Sequence, residues 1–207
     1  MSASGHDGLR GRAPSTGQWL AEDDGHRWWF DSGSLALDFA HTGAFASGRE
    51  ALDSDEALSA WLADRFDVVD PSTRDARLDD ALMLRAAIAH LVEAAEGGTS
   101  ADPRQVDVLN LFAALPDIPP VLGGGSRQAG RSNAGARHAL SAIAREAVTL
   151  LGSSAADRLR RCDDEQCRLL YLDTSRARSR RWCSMQRCGN RSKVRAHRQR
   201  AAAVRAD

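Results

Sequence analysis

The sequence predicts a mainly α protein: a helical N-terminal domain, with room for a small β-hairpin, and a small C-terminal module organised around four cysteines. Three observations lead there. Apolar residues recur at intervals of three and four through most of residues 34–151, the period of helices with one buried face. Past Gly152-Ser153-Ser154 the composition turns abruptly to Cys and Arg. All four cysteines of the chain, Cys162, Cys167, Cys183 and Cys188, fall in that second part.

Residues 1–26 read as a flexible lead ending in the acidic cluster Glu22-Asp23-Asp24, and order is expected to begin at Trp28-Trp29-Phe30. Ser34 is a candidate cap for a helix through Leu35, Leu37, Asp38 and Phe39. Ser54 to Phe66 reads as a second helix, with Leu58, Trp61 and Leu62 on one face. The clearest helix runs from about Thr73 to Glu96, through Leu78, Leu82, Leu84, Ile88, Leu91 and Val92, and Gly97-Gly98 ends it. Asp102-Pro103 opens another, with Pro at the first helical position, where its missing N–H costs nothing. From Pro116 to Asn133 the prolines and Gly123-Gly124-Gly125 leave two readings open, a short hairpin or an irregular loop. Ala134 to Leu151 is the last long helix of a body spanning 27–152, and the cysteine module spans 157–205.

Charge divides at the same place. Formal net charge is zero, yet residues 157–207 hold 15 of the 28 Lys+Arg and 6 of the 28 Asp+Glu, a net +9, leaving −9 on residues 1–156. Such asymmetry pairs an acidic body with a polyanion-seeking tail. No apolar run reaches the roughly 18 residues of a membrane span, and Met1 to Gly17 lacks the apolar core of a secretory signal. A cytoplasmic location is therefore expected, where thiols stay reduced and paired cysteines point to metal more than to disulfides. Lys193 is the only lysine, so the arginine bias is a property of the whole chain and says nothing about phosphate recognition.

The cysteines are spaced Cys162-x4-Cys167, fifteen residues, Cys183-x4-Cys188. Two close pairs joined by a connector of that length form a tetrahedral all-thiolate zinc site. Four thiolates complete the shell, so one structural Zn2+ is expected and no hydrolytic chemistry, with His197 a remote substitute ligand. The connector holds a short strand in Leu169 to Asp173, then a basic stretch with Arg176, Arg178, Arg180 and Arg181, closed by Trp182 as a core residue. After Cys188-Gly189-Asn190 a helix is expected from Arg191 to about Ala203, carrying Lys193, Arg195, Arg198 and Arg200. Its Val194-Ala201 strip is expected to pack on the knuckle. Asn190 is read as a cap or a base contact. A helix anchored at its zinc end with basic flanks suits a major groove, so double-stranded DNA is the expected partner.

The run Arg161-Cys162, Cys167, Tyr171-Leu172-Asp173, Ser175-Arg176, Ser179 to Met185 and Cys188-Gly189-Asn190-Arg191-Ser192-Lys193 closely resembles the CGNR zinc-finger family. The preceding part, through Leu35-Ala36-Leu37-Asp38-Phe39-Ala40-His41-Thr42, Trp61-Leu62, Leu84 to Ile88 and Leu109-Asn110, resembles ABATE, a helical stress-induced transcription-regulator domain. The resemblance implies a bacterial transcription regulator. It departs at His41, where the family commonly carries Asn.

Within the body, Asp38, His41, Thr42 and Arg85, walled by Trp28, Trp29, Phe39 and Trp61, are a candidate effector pocket. The competing reading is structural: Asp38 capping or pairing with Arg85 and the tryptophans in the core. No nucleophile stands against the histidine, so no catalytic residue is assigned. A small-molecule effector and a homodimer are candidate partners. Two alternatives stand beside the DNA-binding regulator: an RNA-binding or protein-docking zinc module, and a small-molecule enzyme in the helical body.

Overall fold

The computed structural model describes residues 16–21, 25–43, 50–70, 75–120 and 134–204, with the backbone alone for 201–204. Order begins earlier than the sequence indicates. Strand β1 (Gln18–Ala21) pairs antiparallel with β2 (Arg27–Phe30), with Gln18 opposite Phe30 and Ala21 opposite Arg27. The first strand thus lies inside the segment read as a flexible lead, and the choice between hairpin and loop over 116–133 falls mostly on 121–133, outside the described residues. Residues 116–120 form no regular element, while Glu22-Asp23-Asp24 and Gly123-Gly124-Gly125 lie outside the described residues. Alternation explains β2: Trp28 and Phe30 are buried, Arg27 and Trp29 exposed.

Helix α1 (Leu35–Ala40) is buried along its whole length, capped by Ser34. A short helix closed in on all sides needs its free amides satisfied, and Glu146 does this from another helix. Its carboxylate accepts from Ser34 Oγ at 2.9 Å and from Ala36 N at 2.8 Å. Burial raises the Glu146 pKa, and those hydrogen bonds oppose the shift.

Helix α2 (Asp55–Ala63) is capped by Ser54 as expected. Helix α3 (Leu78–Glu96) begins later than the Thr73 expected, because Asp55 Oδ1 accepts from Leu78 N at 2.9 Å and so caps it from α2. Helix α4 (Pro103–Ala113) takes Asp102 as its cap and Pro103 at its start, and α5 (Ala136–Leu151) follows a single bridge between Val69 and Ala134. Helices α3, α4 and α5 pack on one another, and α1 lies against α3 and α5. Alanines 81, 87, 139, 144 and 147 are fully buried and let the backbones approach, while Leu84, Ile88, Leu140 and Ile143 fill the space between them.

The C-terminal part is not a separate bead. Strands β3 (Leu159–Arg161) and β4 (Leu170–Leu172) form a second antiparallel hairpin. Its Leu159 and Leu170 belong to the same apolar core as α1–α5. Helix α6 (Asn190–Val204) leaves the far side of this hairpin unit after a π-turn at Met185–Gly189. Among the described residues no helix is long and apolar enough to cross a membrane.

Candidate metal centre and basic surface

The four cysteines reach one point from two turns. Cys162 N donates to Leu169 O at 2.9 Å, extending the β3–β4 ladder by one rung. The chain then folds over Asp164, whose carbonyl accepts from Cys167 N at 2.8 Å and Arg168 N at 3.1 Å. Arg168 takes the left-handed conformation this turn needs, with φ 52. The second pair comes from the loop end at Cys183 and from the π-turn holding Cys188. There Gly189 N donates to Ser184 O at 3.0 Å. A Cβ at Gly189 would come within 2.9 Å of Met185 Sδ, so the exposed Met185 side chain packs over this glycine and would have to move aside for any larger residue.

All four Sγ atoms lie within 4.8 Å of one another, with Cys167 and Cys183 at 3.4 Å and Cys183 and Cys188 at 3.5 Å. Tetrahedral zinc with ~2.3 Å bonds to sulfur separates its ligands by roughly 3.8 Å, so the donor set fits one structural zinc ion. Cys183 N also points at Cys162 Sγ at 3.4 Å, an amide–sulfur contact that helps neutralise a thiolate. Hydrogen bonding from Cys167, Cys183 and Cys188 draws the Cys162 thiol far down, and the same crowding drives Cys183 far up. Four thiols this close cannot all ionise without a cation among them. Zinc would supply that charge and staple the two turns, with no open position for substrate.

The shell around the sulfurs is built partly by the N-terminal hairpin. Trp28 and Phe30 pack with Leu169, Tyr171 and three of the cysteines. Arg187 stands 4.5 Å over the Trp28 ring while Nη1 reaches Cys167 Sγ at 3.3 Å, placing a cation beside the thiolates. No local sequence pattern marks Arg187 or Tyr171 for this shell, whereas the alternation at 27–30 is a signal for Phe30.

Further bonds tie this unit to the body. His41 Nε2 donates to Leu170 O at 2.7 Å, and its ring meets Phe30 edge-on at 4.8 Å. Burial lowers the His41 pKa to about 4, so the imidazole is neutral. Leu172 N donates to Ser32 O at 2.7 Å. At the same seam Gly33, φ +77, sits where a Cβ would meet Leu172 O at 2.8 Å. Arg161 Nη2 pairs with Glu96 at 2.9 Å.

The six candidate pocket residues divide into four settings. Trp28 lies under the metal centre and His41 at the seam. Asp38 is buried with Oδ2 accepting from Gly17 N at 2.5 Å, and burial raises its pKa to about 6. Its charged neighbour is Arg65, not Arg85; Arg65 lies 3.8 Å over the Trp61 ring, and Trp61 Nε1 donates to Gln18 at 3.3 Å. Arg85 instead makes two 2.6 Å bonds to Glu50 and one of 3.3 Å to Thr42 Oγ1. Two surface depressions flank the knuckle, one against α6 and one against the end of α3, and neither is lined by these six residues.

The basic residues also divide. Arg180 turns inward: Nε donates to Trp182 O at 3.0 Å, Nη2 to Asp31 O at 3.0 Å and to Cys183 O, and the guanidinium covers the Tyr171 ring at 4.2 Å. These contacts make it a clamp within the finger, and an Arg180 contact to phosphate would have to break them. Arg195 Nη2 donates to the buried Asp164 at 3.1 Å, and Arg181 to Asp163 at 2.7 Å. Asn190 Nδ2 donates to Gln186 O at 3.1 Å, tying the start of α6 back to the preceding turn. Arg191 is half-buried, whereas Arg176, Arg178, Lys193, Arg198 and Arg200 are exposed. The expected packing strip is corrected at Val194, while the side chain of Ala201 lies outside the described residues. Val194 is 49% exposed, and it is Ser192, Arg195, Ala196 and Gln199 that face Asp164 and Trp182 across a shallow groove.

The fold and the four-thiol site define a helical domain joined to a four-cysteine, zinc-finger-like module. Family models say so directly: residues 33–154 match ABATE, "Putative stress-induced transcription regulator", and residues 158–201 match the CGNR zinc finger. The chain belongs to the ABATE family and carries a CGNR zinc finger. A search of curated proteins finds no match. The β1–β2 hairpin that completes the metal shell precedes both matched ranges.

Proposed function

We propose that the protein is a DNA-binding transcription regulator acting in the cytoplasm, in which zinc holds a basic finger against double-stranded DNA. The observation that carries this reading is the set of exposed cations, Arg176 and Arg178 on one loop and Lys193, Arg198 and Arg200 on α6, all borne by a zinc-stapled unit with a net +9. Cations on a preordered surface release counterions from a phosphate backbone without a folding cost at binding. The family description supports regulation of transcription. The −9 body keeps other faces of the molecule off the polyanion. A second copy bound to a paired half-site is part of this reading.

Selection of genomic duplex fragments by the zinc-loaded protein tests it, with a zinc-stripped control, a salt series and structured RNA as competitor. A recurring motif that disappears without zinc supports the reading, and its half-site spacing reports the dimer. Binding with a steep salt slope and no motif, or stronger retention of RNA, overturns it.

A further inference from the structure

The contacts of α6 divide its circumference. Ser192, Arg195, Ala196 and Gln199, spaced by three, one and three, line the groove against Asp163, Asp164 and Trp182. Arg195 is fixed there by Asp164, whose side chain is fully buried. At 3.6 residues per turn the diametrically opposite line runs through Asn190, Val194 and His197. All three are exposed, and Val194, 49% exposed, is an apolar side chain with nothing over it among the described residues. Between the two lines stand the cations: Arg198 on one flank, Lys193 and Arg200 on the other, all exposed. A basic helix in simple solvent contact needs no such order. A neutral, partly apolar ridge between two basic flanks matches a groove with base edges at its floor and phosphates on both walls.

We infer that α6 enters the major groove of B-form DNA with Val194 and His197 facing base edges, while Lys193, Arg198 and Arg200 grip the walls and Arg195 only positions the helix. This rests on the DNA-binding reading above and deepens it. The helix spans roughly 22 Å, longer than the ~12 Å width of the groove. Three residues advance about 4.5 Å along a helix, close to one ~3.4 Å base step, so Val194 and His197 address neighbouring pairs. A valine methyl meets the 5-methyl of thymine, and an imidazole N–H donates to a purine N7 or O6. The expected core is therefore a thymine beside a purine.

The test uses full-length, zinc-loaded protein and the duplex it selects from random sequence, with every base of that duplex varied in turn over a salt series. Zinc content and circular dichroism confirm that each variant is folded. Val194→Ala is expected to lose at least about fivefold of discrimination at one base pair and His197→Ala at the adjacent pair, with the salt slope unchanged. Lys193→Gln and Arg198→Gln are expected to weaken all duplexes alike and to flatten the slope by about 0.9 each. If the wild type selects a motif and both Val194→Ala and His197→Ala keep it intact, this assignment falls and the DNA-binding reading stands. If the wild type selects no motif, both fall.

Discussion

Cys188 is fully buried and Arg198, about three helical turns further on, is exposed, and the chain between them passes from one kind of order to another. The knuckle is held from every side: by the metal its thiols need, by Trp28 and Phe30 of the N-terminal hairpin, and by the Arg180 clamp on Asp31 and Cys183 carbonyls. Helix α6 is tied to the knuckle by Arg195 to Asp164 and by Asn190 to Gln186 O, and it presents Lys193, Arg198 and Arg200 to solvent. The difference separates what makes the finger a folded object from what it offers a partner. Substitutions in the first region should move stability and leave binding chemistry alone; substitutions in the second should do the reverse.

The largest effect is expected from the metal. Structural zinc contributes on the order of 10 kcal/mol to small metal-stapled modules. Here Leu159 and Leu170 sit in the body's core and Trp28 and Phe30 in the finger's, so the loss cannot stay local. Chelation, or Cys183→Ser, should lower the midpoint of a single cooperative melt seen by both far-ultraviolet dichroism and tryptophan fluorescence. A body that melts at its original temperature after chelation would mean that the two parts are separable and that the shared core counts for little. Next in size is Leu170→Ala, at about 2–5 kcal/mol for a fully buried leucine between the two parts. Urea titration reads it, and a cost confined to the finger would again break the comparison.

This seam was the least legible part of the sequence. The fold class, the caps at Ser34, Ser54 and Asp102 and the ligand quartet were readable because each rests on local spacing: a period of three and four, a cap one residue ahead of a helix, two pairs of cysteines. What Trp28, His41 and Arg180 touch depends on contacts across 129 or more residues for the last two, and no local pattern records those. Asp38, His41 and Arg85 look like a polar constellation in one dimension. Folded, they belong to different networks: Asp38 takes Gly17 N, His41 takes Leu170 O and Arg85 takes Glu50. The error over Val194 has the same origin: an apolar residue on a basic helix reads as a packing residue unless something shows which face is already taken.

His41 offers a sharper test of the seam because its sign is fixed. Burial lowers its pKa from 6.5 to about 4, so below pH 6.5 the unfolded chain takes up a proton that the folded one refuses. Stability from this group is complete above pH 6.5 and is lost as pH falls toward 4, by at most about 3 kcal/mol. Asp38 acts in the opposite sense, since its pKa rises from 3.8 to about 6 and its contribution declines as pH increases across that window. Comparing wild type with His41→Asn cancels Asp38 and the thiols. Asn keeps a donor for Leu170 O, so the variant should gain on the wild type steadily from pH 6.5 down to 4.5. Parallel stability curves would show that His41 is hydrated and that the seam is looser than its 2.7 Å bond implies.

The smallest stability effect should belong to the arginine with the largest effect on binding, and a pair of substitutions makes the contrast direct. Arg180→Ala removes donors from three carbonyls beside the metal and uncovers the Tyr171 ring. It should cost about 1–3 kcal/mol in urea titration and leave the salt slope for DNA unchanged. Arg198→Ala touches an exposed side chain and should move stability by less than about 0.5 kcal/mol while lowering the salt slope by about one contact. Both are arginines of the finger, and a count of basic residues treats them as equal. If Arg180→Ala flattens the slope as much as Arg198→Ala does, the division between clamp and contact is wrong, and the loop from Asp173 to Trp182 turns over when DNA binds.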